Sequence, residues 1–99
     1  MRLQTHGNTL LATGIAELTA ANATAFRDEA RAALTDGVTL LDVDLSVTTF
    51  VDSSGLGALI ALHKTMAMRA GAVRILKPTA TVLQILELTR LHRVLEVVR

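Results

Sequence analysis

The run Val38-Thr39-Leu40-Leu41-Asp42-Val43-Asp44-Leu45 sets apolar Leu41, Val43 and Leu45 against Asp42 and Asp44. That two-residue period marks a β-strand with one face turned inward. Ser46 to Phe50 then leads into Phe50-Val51-Asp52-Ser53-Ser54-Gly55-Leu56-Gly57, a junction from strand through loop into helix. Beyond it Leu56, Leu59, Ile60, His63, Met66-Ala67 and Ala70 trace one stripe at helical spacing, and Gly71 ends it. Val73 and Ile75 around Arg74 form the next short strand, broken by Lys77-Pro78. A strand, a helix and a further strand in succession are the repeating unit of an α/β domain.

The flanks extend this reading in both directions. Upstream, Leu3 to Thr5 and Thr9 to Thr13 are two short strands around His6-Gly7-Asn8, a hairpin turn in which Gly7 or Asn8 takes positive φ. Gly14 and Glu17-Leu18-Thr19 make a connection. From Ala20 the pattern is helical, with Ala23, Phe26, Ala30 and Ala33-Leu34 on one side and Arg27, Asp28 and Arg31 on the other. Thr19 is its expected N-cap and Gly37 its expected stop. Downstream, Thr79 or Thr81 caps a third helix carrying Val82, Ile85, Leu86 and Leu88, and Val94 to Val98 is a final short strand. The expected order is β-β-α-β-α-β-α-(β). It implies one domain over residues 1–99, with a mixed sheet of four to five strands and three to four helices packed through right-handed crossovers.

Composition narrows what such a domain does. Ten basic and nine acidic residues leave a formal charge of +1, so the chain is neither a polybasic nucleic-acid arm nor a disordered tail. Phe26 and Phe50 are its two aromatics, which removes the stacking platforms of base-binding sheets. Zero cysteines exclude thiolate nucleophiles, disulfides and cysteine-ligated zinc. The longest clean apolar stretch, Leu56 to Leu62, falls far short of the roughly 20 residues needed to cross a bilayer. The start, Met1-Arg2-Leu3-Gln4, is no signal peptide, and the expected location is cytoplasmic.

Enzyme chemistry finds little footing. Ser54 lacks the Gly-x-Ser-x-Gly elbow of a hydrolase, since Asp52 and Leu56 take the glycine positions. His63 lies on the core-facing stripe, and His6, His63 and His92 fall in separate elements without metal-ligand spacing. Gly55-Leu56-Gly57 lacks the third glycine of a dinucleotide loop, so no cofactor is expected, nucleotide binding near Ser54 at the helix start being the weak alternative. The junction itself has two readings. In one, Asp52 or Ser53 caps the helix by accepting from its free first-turn N–H groups. In the other, a serine accepts a phosphoryl group, which the helix dipole favours by roughly 0.3–1 kcal/mol. A phosphate of about −1.5 to −2 charges would take a chain at +1 to a net negative charge.

Asp44-Leu45-Ser46 followed by Phe50-Val51-Asp52-Ser53-Ser54-Gly55-Leu56-Gly57 resembles the signature of STAS domains, specifically bacterial anti-sigma factor antagonists. Gly14 with Glu17 matches the first loop of that family, and Leu88-Thr89-Arg90-Leu91 the end of its last helix. The resemblance implies a non-enzymatic switch in transcription regulation. The unphosphorylated form binds an anti-sigma factor with GHKL-type serine kinase activity and so frees a sigma factor. Phosphorylation of Ser54, or of Ser53 as second choice, blocks that contact, and a PP2C-type phosphatase resets it. The implied partner surface is Glu17, Asp52, Ser53, Ser54, Gly55 and Leu56. Two positions depart from the pattern: Glu17 where the family usually has Asp, and Arg90 where a helix-ending Gly is common, so that a left-handed cap there is strained or absent. The competing implications are a structural STAS subunit of a lipid-transport type membrane complex, and a STAS regulatory domain of a larger signalling protein.

Overall fold

A computed structural model describes residues 1–99. Strands β1 (Arg2–His6) and β2 (Thr9–Thr13) form an antiparallel hairpin with Arg2 opposite Thr13 and His6 opposite Thr9. Its loop is Gly7-Asn8, and of the two only Gly7 has positive φ, at 59°. The glycine therefore supplies the left-handed residue that a tight turn between right-twisted strands needs. The chain continues through β3 (Glu17–Leu18), α1 (Ala23–Ala33), β4 (Leu40–Asp44), β5 (Phe50–Val51), α2 (Ser53–Ala67), β6 (Ala72–Leu76), α3 (Ala80–Leu88), one 3₁₀ turn at Leu91–Arg93 and β7 (Glu96–Val98).

The main sheet has the order β1-β2-β4-β6-β7, and every pairing after the hairpin is parallel. The expected mixed sheet thus has five strands. From β2 onward each crossover steps one strand further in the same direction, and right-handed connections then set α1, α2 and α3 on one face. Burial follows that arrangement. Leu10 and Ala12, Leu41 and Val43, and Val73 and Ile75 are buried under the helices, and with Phe26, Leu59, Leu62, Met66, Val82 and Leu86 they belong to a single 21-residue core. The opposite face carries Leu11, Asp42, Arg74 and Glu96 in one register row.

Several boundaries differ from the sequence expectation, each for a local reason. Glu17-Leu18 is not a plain connection: it pairs in parallel with Phe50-Val51 as a second, two-stranded sheet, too short to show any period. Thr19 caps a turn ahead of α1 and not α1 itself: its carbonyl accepts from Asn22 and Ala23, and its hydroxyl from the Ala21 N–H. Asn22 is the boundary residue, but its amide is spent on the Thr19 N–H (2.8 Å) and the Glu17 carbonyl (2.7 Å). α1 ends at Ala33 with Leu34 extended, before Gly37 is reached. The buried stripe of α2 is Gly55, Ala58, Leu59, Leu62 and Met66; Ile60 and His63 sit on its half-buried edge and Ala67 is exposed. Leu88 faces solvent. Thr79, not Thr81, caps α3, and its hydroxyl also donates to the Thr48 carbonyl at 2.8 Å. Arg90 does adopt the left-handed cap, at φ 61° and ψ 16°, and so carries the strain a glycine would relieve.

Candidate functional site

The mini-sheet and the start of α2 build one surface. β5 places Val51 in the core and Phe50 in solvent, and Glu17 of β3 is the Cα partner of Phe50. Immediately beyond, Asp52 turns the chain into α2. Its Oδ1 accepts from the Gly55 N–H at 3.0 Å and its Oδ2 from the Ala20 N–H at 3.0 Å. The Asp52 N–H donates to the Leu18 carbonyl at 3.1 Å. One carboxylate therefore caps α2 and ties it to the loop before α1. These backbone N–H groups stabilise the anion and hold the Asp52 carboxyl below its ordinary 3.8.

The capping role thus falls to Asp52, and neither serine is needed for it. Ser53 and Ser54 are both exposed in the first turn of α2. Gly55 is buried, and a methyl group there would run into the Leu18 carbonyl and the Val51 side chain. It belongs to the junction's packing and offers no side chain to a partner. Leu56 is half-buried against the core. Of the six residues assigned to the switch surface, Glu17, Ser53 and Ser54 present free side chains, Asp52 is committed to hydrogen bonds, and Gly55 and Leu56 act from beneath.

Sequence reasoning missed three further features around the junction. Phe50 in the mini-sheet and Val47 in the segment leading to it are large apolar residues about half exposed. Period-two logic could have found Phe50, since it and Val51 are adjacent in one strand and cannot both face inward. The second is a hollow of about 350 Å³ between α1 and α2, lined by Ala20, Ala23, Thr24, Arg27, Ser54, Gly57 and Ala58. The third lies on the other side of β3, where Gly14, Ile15, Glu17, Leu18, Phe26 and Glu29 contribute to a hollow of about 460 Å³. No group of His, Asp or Glu side chains is arranged to hold a metal ion. No helix is long and apolar enough to cross a membrane.

Comparison with known proteins accords with this geometry. A crystal structure from Thermotoga maritima, described as a candidate anti-sigma factor antagonist, superposes with a TM-score of 0.90 at 21% identity, over 99% of this chain and 85% of its own. The Bacillus anti-sigma factor antagonist SpoIIAA in its unphosphorylated form gives 0.85 at 21% identity over 99% of this chain and 87% of its own. Its phosphorylated form gives 0.72 at 20% identity, over 99% and 90%. At such identities the likeness is one of fold. Among curated proteins none matches the chain in sequence. A family model described as "Mlab, STAS domain" matches residues 1–98, and the chain belongs to the STAS domain family.

Proposed function

We propose that this chain is an anti-sigma factor antagonist switched by phosphorylation at Ser54. The observation that carries the reading is the division of labour at the junction: Asp52 satisfies the helix start, which leaves the exposed Ser54 hydroxyl spare. In the unphosphorylated state Glu17, Phe50, Ser53 and Ser54 form a surface with one carboxylate, one aromatic ring and two small hydroxyls, suited to close docking of an anti-sigma factor. That partner is also the kinase, of the GHKL type. It transfers the γ-phosphoryl group of a nucleoside triphosphate to Ser54 Oγ, the serine gives up its proton, and the nucleoside diphosphate leaves. A PP2C-type phosphatase hydrolyses the ester. In this reading the chain is a substrate and a ligand, not an enzyme, and it works in the cytoplasm with its partners.

The block is direct. Ser54 is exposed in the first turn of α2, outside the core, so phosphorylation need not reshape the domain. The determination of SpoIIAA with and without phosphate supports a switch of this kind in the fold. Added charge and bulk over Ser54 exclude a partner that packs there, and a tenfold loss of affinity needs only about 1.4 kcal/mol. Incubation with the partner kinase and nucleoside triphosphate, read by intact mass, should show a gain of one phosphate that Ser54→Ala abolishes. Ser54→Asp should weaken partner binding tenfold or more by calorimetry. An Asp variant at full affinity would overturn the reading.

The designation of the matching family model, Mlab and not antagonist, favours a second reading. In it the same surface docks permanently into a membrane transport complex and Ser54 is never modified. The mass experiment separates the two, because the second reading requires no phosphate gain with any kinase of the host.

A further inference from the structure

Ser54 shares its hollow with one charged side chain, Arg27 of α1. Ala23, Thr24 and Arg27 lie along one edge of α1, with Ala20 in the turn before it, and Ser54, Gly57 and Ala58 lie along the facing edge of α2. The helices run side by side in the same direction, since one contact lies by Ala20, which donates to Asp52, and another further along, where Arg31 Nε donates to Thr65 Oγ1. Arg27 therefore stands between one and two turns beyond the level of Ser54. Helical side chains lean toward the N-terminus of their own helix, which for Arg27 is the direction of Ser54. The other residues lining their hollow, Ala20, Ala23, Thr24, Gly57 and Ala58, are all small. Gly57 is exposed with no neighbour within 4 Å of the place a Cβ would take. A glycine inside an exposed helix is unfavourable relative to alanine, and here no close approach requires it; its effect is to keep the hollow open.

Arg27 is weakly engaged at present. Its Nε and Nη2 both approach a single oxygen of the adjacent Asp28, at 3.1 and 3.0 Å, with both side chains substantially exposed. Neighbours one residue apart on a helix do not face each other, so this pair is readily exchanged for a better one. A phosphate ester at Ser54 would offer three acceptor oxygens to the planar fork of the guanidinium.

We propose that Arg27 is the intramolecular receptor of phosphoserine 54. On modification its guanidinium leaves Asp28 and spans the α1–α2 hollow to the phosphate, pinning the group over Gly57 and freeing the Asp28 carboxylate. The phosphorylated surface then differs from the unmodified one in two ways: a fixed phosphate fills the hollow, and a released carboxylate stands beside it. The partner is met by an ordered acidic ridge in place of an open hollow. This inference rests on the proposed modification of Ser54.

The full chain with phosphoserine genetically encoded at position 54 tests it without any kinase. The charged groups about the phosphate are Arg27 and Asp28 on α1 and Asp52 ahead of α2. Phosphorus NMR titration should give a second phosphate pKa at least about half a unit lower in the wild-type chain than in Arg27→Gln, against about 6 for a free phosphoserine. The Arg27 Nε–Hε resonance should shift on phosphorylation, and Gly57→Leu, which fills the hollow, should raise the phosphate pKa toward the Arg27→Gln value. Arg27→Gln changes a partly exposed side chain outside the core, and matching unfolding midpoints of the two unphosphorylated proteins would establish that the fold is intact. Equal phosphate pKa values in wild type and Arg27→Gln, with an unmoved Arg27 resonance, would overturn the inference. Failure of the switch itself shows elsewhere, as full partner affinity of a chain whose phosphate is demonstrably held by Arg27.

Discussion

Asp52 is the residue on which the junction turns, and its contribution depends on its charge. Both carboxylate oxygens accept backbone N–H groups, from Gly55 and from Ala20. An anion in that position satisfies first-turn donors and favours the positive end of α2, and a neutral carboxyl does so less well. Since its folded pKa lies below the ordinary 3.8, the stabilisation is fully present above the unfolded value. It is lost as pH falls through the lower, folded value. Asp52→Asn keeps one acceptor and removes the charge. Chemical denaturation should find Asp52→Asn less stable than wild type at pH 7, with the gap narrowing below pH 4 as the wild-type carboxyl protonates. A gap of the same size at pH 7 and at pH 3 would mean that the charge contributes nothing and that Asp52 acts as a neutral hydrogen-bond acceptor.

At the scale of elements, helix ends show where pattern and packing part. Past Ala67 the chain closes with the Gly71 N–H donating to the Met66 carbonyl at 2.8 Å and the Ala70 N–H to the Ala67 carbonyl at 3.1 Å. These are the paired bonds of a Schellman motif, and the left-handed residue they require is Ala70, at φ 55°. Gly71 is needed one position later for space, because a Cβ there would stand 2.5 Å from the Thr39 carbonyl oxygen. Ala70→Gly should therefore stabilise the domain by up to about 1 kcal/mol, and Gly71→Ala should destabilise it, both read from urea midpoints. The rule that glycine ends a helix found the right turn and the wrong residue, since the approach of Thr39 is invisible in a local window. The same limit explains the site. Strand β4, the hairpin and the junction are legible because periods of two and of about three and a half need only neighbours in sequence. Ser54, the proposed acceptor, stands out in the sequence through its residue order. Arg27 was not, because its own helix assigns it to the outer side, and only the packing of α1 against α2 brings it to the hollow beside Ser54.

For the molecule as a whole, the crossovers leave one sheet face without a helix layer, although parallel sheets are ordinarily covered on both sides. What occupies the middle of that face is an ion pair. Arg74 Nε meets Asp42 Oδ1 at 2.7 Å and Nη2 meets Oδ2 at 2.8 Å, with Asp42 only 6% exposed. The hydrogen bonds to Asp42 push the Arg74 pKa further above its usual value, aided by the charge of Glu96 on the neighbouring strand. Leu11 lies next to Asp42 in the same register row, and Leu40 and Leu76 are half-buried on β4 and β6. The pair thus sets charge between Leu11, Leu40 and Leu76 on a face that also carries Thr9, Asp44 and Glu96; without it these leucines would join into an apolar patch at the centre of the sheet, the kind that associates. Removing one partner and removing both should then have opposite signatures. Arg74→Ala leaves a shielded carboxylate without its two donors and should cost about 1–3 kcal/mol in unfolding free energy. Asp42→Leu with Arg74→Met removes the whole pair, and exchanges of that kind are often neutral or stabilising within a fold. The double variant should therefore recover most of the lost stability in denaturant but elute as larger species than wild type on size exclusion. A double variant that stays at the wild-type size would show that the polar pair does not guard this face. One as unstable as Arg74→Ala would mean that β4 and β6 depend on the pair for their register.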